Sequence, residues 1–311
     1  VLAKILLKYK HLQPSRWTFD CLESMDDLNV LFDLLSDYQT KFESAPIITA
    51  NFITHNLEGF IDGKAIYKPI SKGFVSGDAG VIDGYRKGIA SQMFFPQLHG
   101  YSHYNTSLIE KEYLNTNFRE DCSLGFPFAL TTFKGNLGLY RGECFDANFE
   151  QNIKEAATIF QEAFGYTSKT FIPPNYWYNF NKNPILKVNK VDLLQSSGHF
   201  ISEKQQSFIT PFFRNKNQLL CSTRNCRLDV HSDYNYNSEL CIKSIERAFE
   251  NEMPAIIDIH RVNFSGTYAP ETRVKTLQEL KKVFDYIYAF VGYQYENEYL
   301  LSYQDFVSSR L

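Results

Sequence analysis

The stretch FFPQLHGYSHYN, residues 94 to 105, is an apolar run that stops in two histidines four apart, His99 and His103. An apolar run of this length between polar flanks reads as a buried strand. His99 ends it, and His103 follows across a short loop containing Gly100, so both imidazoles can converge at the strand's C-terminal edge. Two histidines at such spacing point to contact with a divalent metal or with a substrate, and they mark that edge as the place to seek a site.

Working outward, the same kind of strand recurs. APIITANFIT (45–54), KTFIPP (169–174), KVDLLQSS (190–197), NQLLCST (217–223), PAIIDIH (254–260) and EYLLSY (298–303) bring the set to about seven. Amphipathic helices lie between them. Ser24 and Asp27 form a capping-box pattern ahead of LNVLFDLLSDY. FEQNIKEAATIFQEAFG sets Ile153, Ala157, Phe160 and Phe164 on one stripe and stops at Gly165, while SELCIKSIERAFENEM and PETRVKTLQELKKVFDYIYAF repeat the pattern, the latter with Pro270 in its first turn. Such alternation predicts an α/β fold, a distorted (β/α)7-type barrel of mostly parallel strands covered by helices, as a single domain over residues 1–311. Residues 104–146 hold Gly, Pro, Asn and aromatics without a sustained period, and directly after the histidines they are expected to form a lid or substrate-binding insertion.

Composition limits the partners. The 311-residue chain is 44% hydrophobic and 22% charged, and no run of eighteen apolar residues predicts a transmembrane segment. A net charge of −3 without any dense Lys/Arg stripe argues against nucleic acid. The opening VLAKILLKYK is too short and too lysine-interrupted for a signal peptide, which leads to the expectation of a cytoplasmic protein whose basic, apolar-faced start could touch a membrane surface. Six cysteines without a C-x-x-C pair read as reduced thiols. The 20 Tyr and 27 Phe are the compositional outlier, and Tyr in Asn-rich company, as in NYWYNFN, suits sugar faces as well as a half-wet surface.

Other strand ends add candidates. His260 closes PAIIDIH, and strand alternation sets Asp258 on its face, where a carboxylate can orient the imidazole or act beside it. Asn51 shares a face with Thr49; it offers an amide oxygen but is no ordinary base. Asn175, Tyr176 and Trp177 follow FIPP and would rim the same mouth. His55, His199 and His231 lie away from these ends and read as structural.

In order, these strand-end motifs resemble the polysaccharide deacetylase family, the NodB-homology fold, over residues 45–303. HGYSH resembles the family's H-(S/T)-x-x-H metal motif, ITANF stands where T-F-D-D is expected, FIPPNY where R-x-P-(Y/F) is expected, and DIH where L-x-H is expected. With TRNC and HRVNFSG added, the set looks like a bacterial offshoot described as polysaccharide (de)acetylase-like. A TFD triplet also occurs in WTFDC, but it lies well before His99 and begins a turn into a helix. The resemblance implies a divalent metal, zinc favoured, on His99 and His103, with Asn51, Asp258 or solvent as the third ligand and Asp258 favoured over Asn51 for its charge, and His260 as general acid. It also exposes departures. Asn51 stands at the base position, Phe52 at the metal Asp, Ile172 at the Arg that orients the base, and Asp258 at a pocket leucine.

These losses belong together, because an Arg whose anionic partner became an amide would be a buried unpaired cation. Two functions follow. One is a carbohydrate-active hydrolase acting on an acyl group or related bond of a bacterial surface glycan, with His260 as acid, Asp258 supplying the missing carboxylate, and Arg224, Asn225, Asp229, Arg261, Asn263 and Glu271 as polar groups able to bind the glycan; a metal-free glycosidase using paired carboxylates stands beside it. The other is a non-catalytic glycan-binding descendant, which the joint loss of base, metal Asp and Arg favours.

Overall fold

The computed structural model describes residues 21–43, 45–74, 80–114, 148–201, 207–209, 215–216, 219–231 and 236–291. Along the chain these form α1 (Met25–Phe42), β1 (Ile48–Ile53), β2 (His55–Ile61), β3 (Lys64–Pro69), α2 (Val81–Ala90), β4 (Phe94–Gly100), α3 (Thr106–Tyr113), α4 (Phe149–Phe164) and β5 (Thr170–Phe171). There follow α5 (Asn183–Val188), β6 (Leu193–Ser196), β7 (His199–Ile201), β8 (Ser207–Ile209), β9 (Asn215–Lys216), β10 (Leu219–Thr223), β11 (Cys226–Arg227), α6 (Ser238–Glu250), β12 (Ile257–Asp258) and α7 (Pro270–Tyr286).

The helices begin and end where their local chemistry dictates. Ser24 caps α1, its hydroxyl accepting from the Asp27 amide while the Asp27 carboxylate accepts from the Ser24 amide, so two otherwise orphaned donors are satisfied. Leu28, Leu31, Leu35 and Tyr38, three and four apart, then form its buried stripe. Helix α4 stops at Gly165, whose φ of 85° closes the last turn.

Five strands run parallel in the order β1, β4, β5, β6, β10, and β9 adds antiparallel to the far edge. The fold is therefore α/β with a mostly parallel sheet, as the alternation predicts. Among the described residues the ladder does not close into a continuous barrel. It breaks at Asn225, where the chain leaves β6 and continues as β11 against β12 in a separate parallel pair. The Asn225 side chain causes this change of partner: its Nδ2 donates to the Pro254 carbonyl and its Oδ1 accepts from the Ile256 amide, pulling the approach to β12 alongside. Helix α1 packs Leu31, Leu35 and Tyr38 into the same apolar cluster as Ile48 of β1 and Ile257 of β12. The run expected as a strand at 298–303 lies outside the described residues.

A hairpin unforeseen in the strand reading follows β1. Strands β2 and β3 pair across Asp62 and Gly63, at φ 49° and 78°, the Asp-Gly turn that matches the twist of a two-residue hairpin. Residues 104–114 of the expected lid include α3, which packs Ile109 against Leu57 of this hairpin, while Tyr113 stacks on Phe60 at 3.8 Å. Residues 115–146 of that lid lie outside the described residues.

The two faces of the sheet differ. Phe52, Leu98, Phe171, Leu194 and Cys221 take one face and are sealed by Tyr85 of α2 and by Ile153, Ala156 and Phe160 of α4. The other face carries Asn51, Gln97, Thr170, Gln195 and Ser222, and the last four are fully buried.

Candidate functional site

On that polar face the side chains satisfy one another. Gln97 Oε1 accepts from the Ser168 hydroxyl, the Thr170 amide and the Thr170 hydroxyl, at 2.9, 3.0 and 2.9 Å. Gln195 Nε2 donates to Thr170 Oγ1 at 2.8 Å and to Asn51 Oδ1 at 2.9 Å, and Asn51 Nδ2 donates back to Gln195 Oε1 at 3.2 Å. Four strands are thus laced by an amide ladder, which makes their burial tolerable.

Two residues beyond Gln97, on the same face, stands His99. Its Nδ1 lies 2.7 Å from the Ile172 carbonyl at the end of β5; a carbonyl only accepts, so Nδ1 carries the proton. His103 Nε2 lies 2.7 Å from His99 Nε2, the rings meeting edge to face. Gly100, at φ 104°, makes the turn between them, a conformation that disfavours any residue with a Cβ. In the neutral state His99 Nε2 accepts and His103 Nε2 donates.

The sequence resemblance would make this pair two ligands of a metal. The pair's backbone anchor on Nδ1 is what a ligating imidazole requires, yet two nitrogens at 2.1 Å from a tetrahedral ion stand about 3.4 Å apart, so the pair must open to admit one. The third side-chain ligand is wanting: both atoms of the Asn51 amide are engaged by Gln195, Asp258 lies against Arg224, and among the described residues no group of three His, Cys, Asp or Glu side chains could hold an ion. The described residues do not fit the three-ligand centre that the sequence resemblance implies.

On the far side of the break the inner face becomes charged. Asp229 is fully buried and accepts from three donors: Asn263 Nδ2 at 2.6 Å on Oδ1, and Arg227 Nη2 and His260 Nδ1, both at 3.0 Å, on Oδ2. These donors offset a charge that would otherwise be costly to bury. The Asp229 carboxylate, rather than Asp258 two residues upstream in sequence, therefore orients His260, whose side chain is 30% exposed. With Nδ1 committed, proton exchange with a substrate falls to Nε2.

Asp258 instead meets Arg224: Nη1 lies 2.6 Å from Oδ1, with the side chains only 13% and 12% exposed. The Arg224 guanidinium also sits over the Tyr176 ring at 5.4 Å. Tyr176 and Asn175 hold φ of 59° and 49°, left-handed values that cost on the order of 1–3 kcal/mol each in residues with a Cβ. The half-buried Trp177 bridges Ile201, and the His199 ring stands 6.1 Å from Tyr176.

The contacts thus run from His103 through His99 to the residue after β5, from Tyr176 through Arg224 to Asp258, and from His260 to Asp229. Other candidates serve the fold. Asn225 clamps the approach to β12, and Asn263 spends its amide on Asp229, the His260 carbonyl and the His231 amide. Arg261 is half-exposed, with Nε 4.0 Å from Glu23, and Glu271 is exposed in the first turn of α7. His55 is buried, stacked on Tyr101 at 3.8 Å. The part that sequence reading missed is the pairing: Asp229 with His260, and Gln195 with Asn51.

No family model and no curated protein matches the sequence. Among solved structures, the chain is similar to a 4-alpha-glucanotransferase from Thermococcus litoralis (10% identity, TM-score 0.46, covering 95% of this chain and 36% of that one). It is also similar to a CE4 family pseudoenzyme from Bacillus anthracis (10%, 0.33, 84% and 58%) and to IcaB from Ammonifex degensii (15%, 0.23, 37% and 39%). The matches span between about a third and three fifths of those chains. At these TM-scores they carry no argument about activity, which rests on the residues alone. Among the described residues no helix is long and apolar enough to cross a membrane.

Proposed function

We propose that this chain is a carbohydrate-directed hydrolase that cleaves an acyl group or related bond of a surface glycan, with His260 as general acid and Asp258 as general base. The carrying observation is the His260–Asp229 dyad: a buried, triply bonded carboxylate holding a part-exposed imidazole in one tautomer at a strand end. In the step proposed, Asp258 takes one proton from a water as its oxygen bonds to the acyl carbon. The bond to the sugar oxygen breaks, and that oxygen receives the proton on Nε2 of the His260 imidazolium, whose charge Asp229 offsets. Transfer of the Asp258 proton to the neutral imidazole restores both groups.

A second reading, a non-catalytic glycan binder, draws on the Asn51–Gln195 amide pair, which fills the family's base position with a neutral, satisfied group. Released acetate and new reducing ends, measured on acetylated oligosaccharides with and without added zinc, separate the two. Acetate release lost in His260→Ala supports the hydrolase. Retained oligosaccharide binding with no product in either metal condition supports the binder.

A further inference from the structure

Resting on the assignment of Asp258 as base, we infer that Arg224 is a positioning residue for that base rather than a sugar contact. Three observations converge. Arg224 is held at its backbone, where its amide donates to the Ser196 carbonyl at 2.9 Å as β6 ends. It is held at its face by the Tyr176 ring, and at its tip by Asp258 Oδ1 at 2.6 Å. Its Nε is buried without a hydrogen-bond partner, so no ligand approaching from solvent reaches that edge of the guanidinium.

The geometry has a direction. Arg224 meets Asp258 through Oδ1, which is buried, and this leaves Oδ2 as the oxygen outside the ion pair. A carboxylate fixed through one oxygen is held in one orientation, as a general base must be. The Tyr176 ring lies under the guanidinium in turn, and its own backbone is pinned by hydrogen bonds from the Tyr176 amide to the Pro173 carbonyl and from the Trp177 amide to the Pro174 carbonyl. The loop after β5 therefore sets the base at the end of β12.

The test is a cycle of Arg224→Gln, Asp258→Asn and the double variant in the full chain. Denaturant midpoints are measured beside kcat and KM for acetate release from acetylated oligosaccharides. Arg224→Gln is expected to lower kcat at least about tenfold with KM within about twofold, because the base is still present but no longer held in place. The double variant should be no slower than Asp258→Asn. Arg224→Lys, which keeps the charge without the planar stack, should recover part of the loss and serves if the Gln variant folds poorly. A raised KM with unchanged kcat would make Arg224 a sugar contact, and additive losses in both stability and kcat would show that the two residues act separately; either result overturns the inference in an active enzyme. A wild type that releases no acetate overturns the hydrolase reading itself, and this inference with it.

Discussion

Asp229 gathers three donors onto a carboxylate with no access to water, and this makes its charge hard to replace. Asp229→Asn keeps the shape but supplies an amide N–H2 that cannot accept from both Arg227 and His260. The His260 tautomer should reverse, visible in nitrogen NMR of the imidazole, and any acetate release should fall by about 10² to 10⁴ while the fold persists. His55 is the contrasting case. Burial pushes its imidazole down to about 4, and Glu155, half-exposed at 3.3 Å, does not offset this. The folded chain holds His55 neutral where an unfolded chain, near the ordinary value of 6.5, would protonate it. Stability should therefore fall as pH drops from about 6.5 toward 4, and His55→Gln should flatten that part of the denaturation profile. At this scale the sequence showed which residue types end strands, and so His99, His103 and His260. It could not show their partners, because Asp229 and His260 are separated by 31 residues and meet only through the β11–β12 pairing.

The helices show how far local rules reach. The capping box of α1, the Gly165 stop of α4 and the Pro270 entry to α7 are written in adjacent residues, and each forms where the pattern puts it. The entry to α6 is different. Asn237 caps it locally, its side chain accepting from the Leu240 amide, but Ser238 is bound through both its amide and its hydroxyl by Glu279 of α7, at 2.8 and 2.6 Å. Burial alone would raise the Glu279 carboxyl; hydrogen bonds from Lys282 and Ser238 outweigh it and pull the group down to about 2. A carboxylate depressed in the folded state stabilises it above the unfolded value near 4.5 and loses that contribution as pH falls toward 2. Glu279→Gln should thus cost about 2–3 kcal/mol at neutral pH in urea denaturation, with the gap to wild type closing in acid. The β2–β3 hairpin was legible too, through Asp62-Gly63, but the dominant strand–helix rhythm conceals a two-strand excursion. The break at Asn225 was not legible, because one side-chain amide redirects a strand that pattern alone would continue.

Across the whole molecule, the inner surface is split in two: neutral amides and hydroxyls over β1, β4, β5 and β6, and charged groups over β10, β11 and β12. Arg224 pairs with Asp258 and Arg227 with Asp229, so the charged half balances itself, and the neutral half needs no counterion. The Asn51 amide is therefore matched to its neighbours: both of its polar atoms are bonded to Gln195 and neither calls for a charge. This matching also makes the ladder resistant to a change that hydrophobicity alone would favour. Gln195→Leu adds apolar surface to a fully buried position, yet it strips Asn51 of both hydrogen-bond partners and Thr170 of a donor. An orphaned polar group costs about 1–3 kcal/mol when fully buried, and half-buried Asn51 keeps some access to water, so the variant should lose about 1 kcal/mol in urea denaturation despite its added apolar side chain. Adding Asn51→Leu removes the orphan along with its cause, and the double variant should regain most of the loss, because two matched apolar groups can replace a hydrogen-bonded pair at little cost. If the double variant instead loses the sum of both single changes, the ladder does not act as one network, and the neutrality of Asn51 is no part of what holds this half of the sheet together.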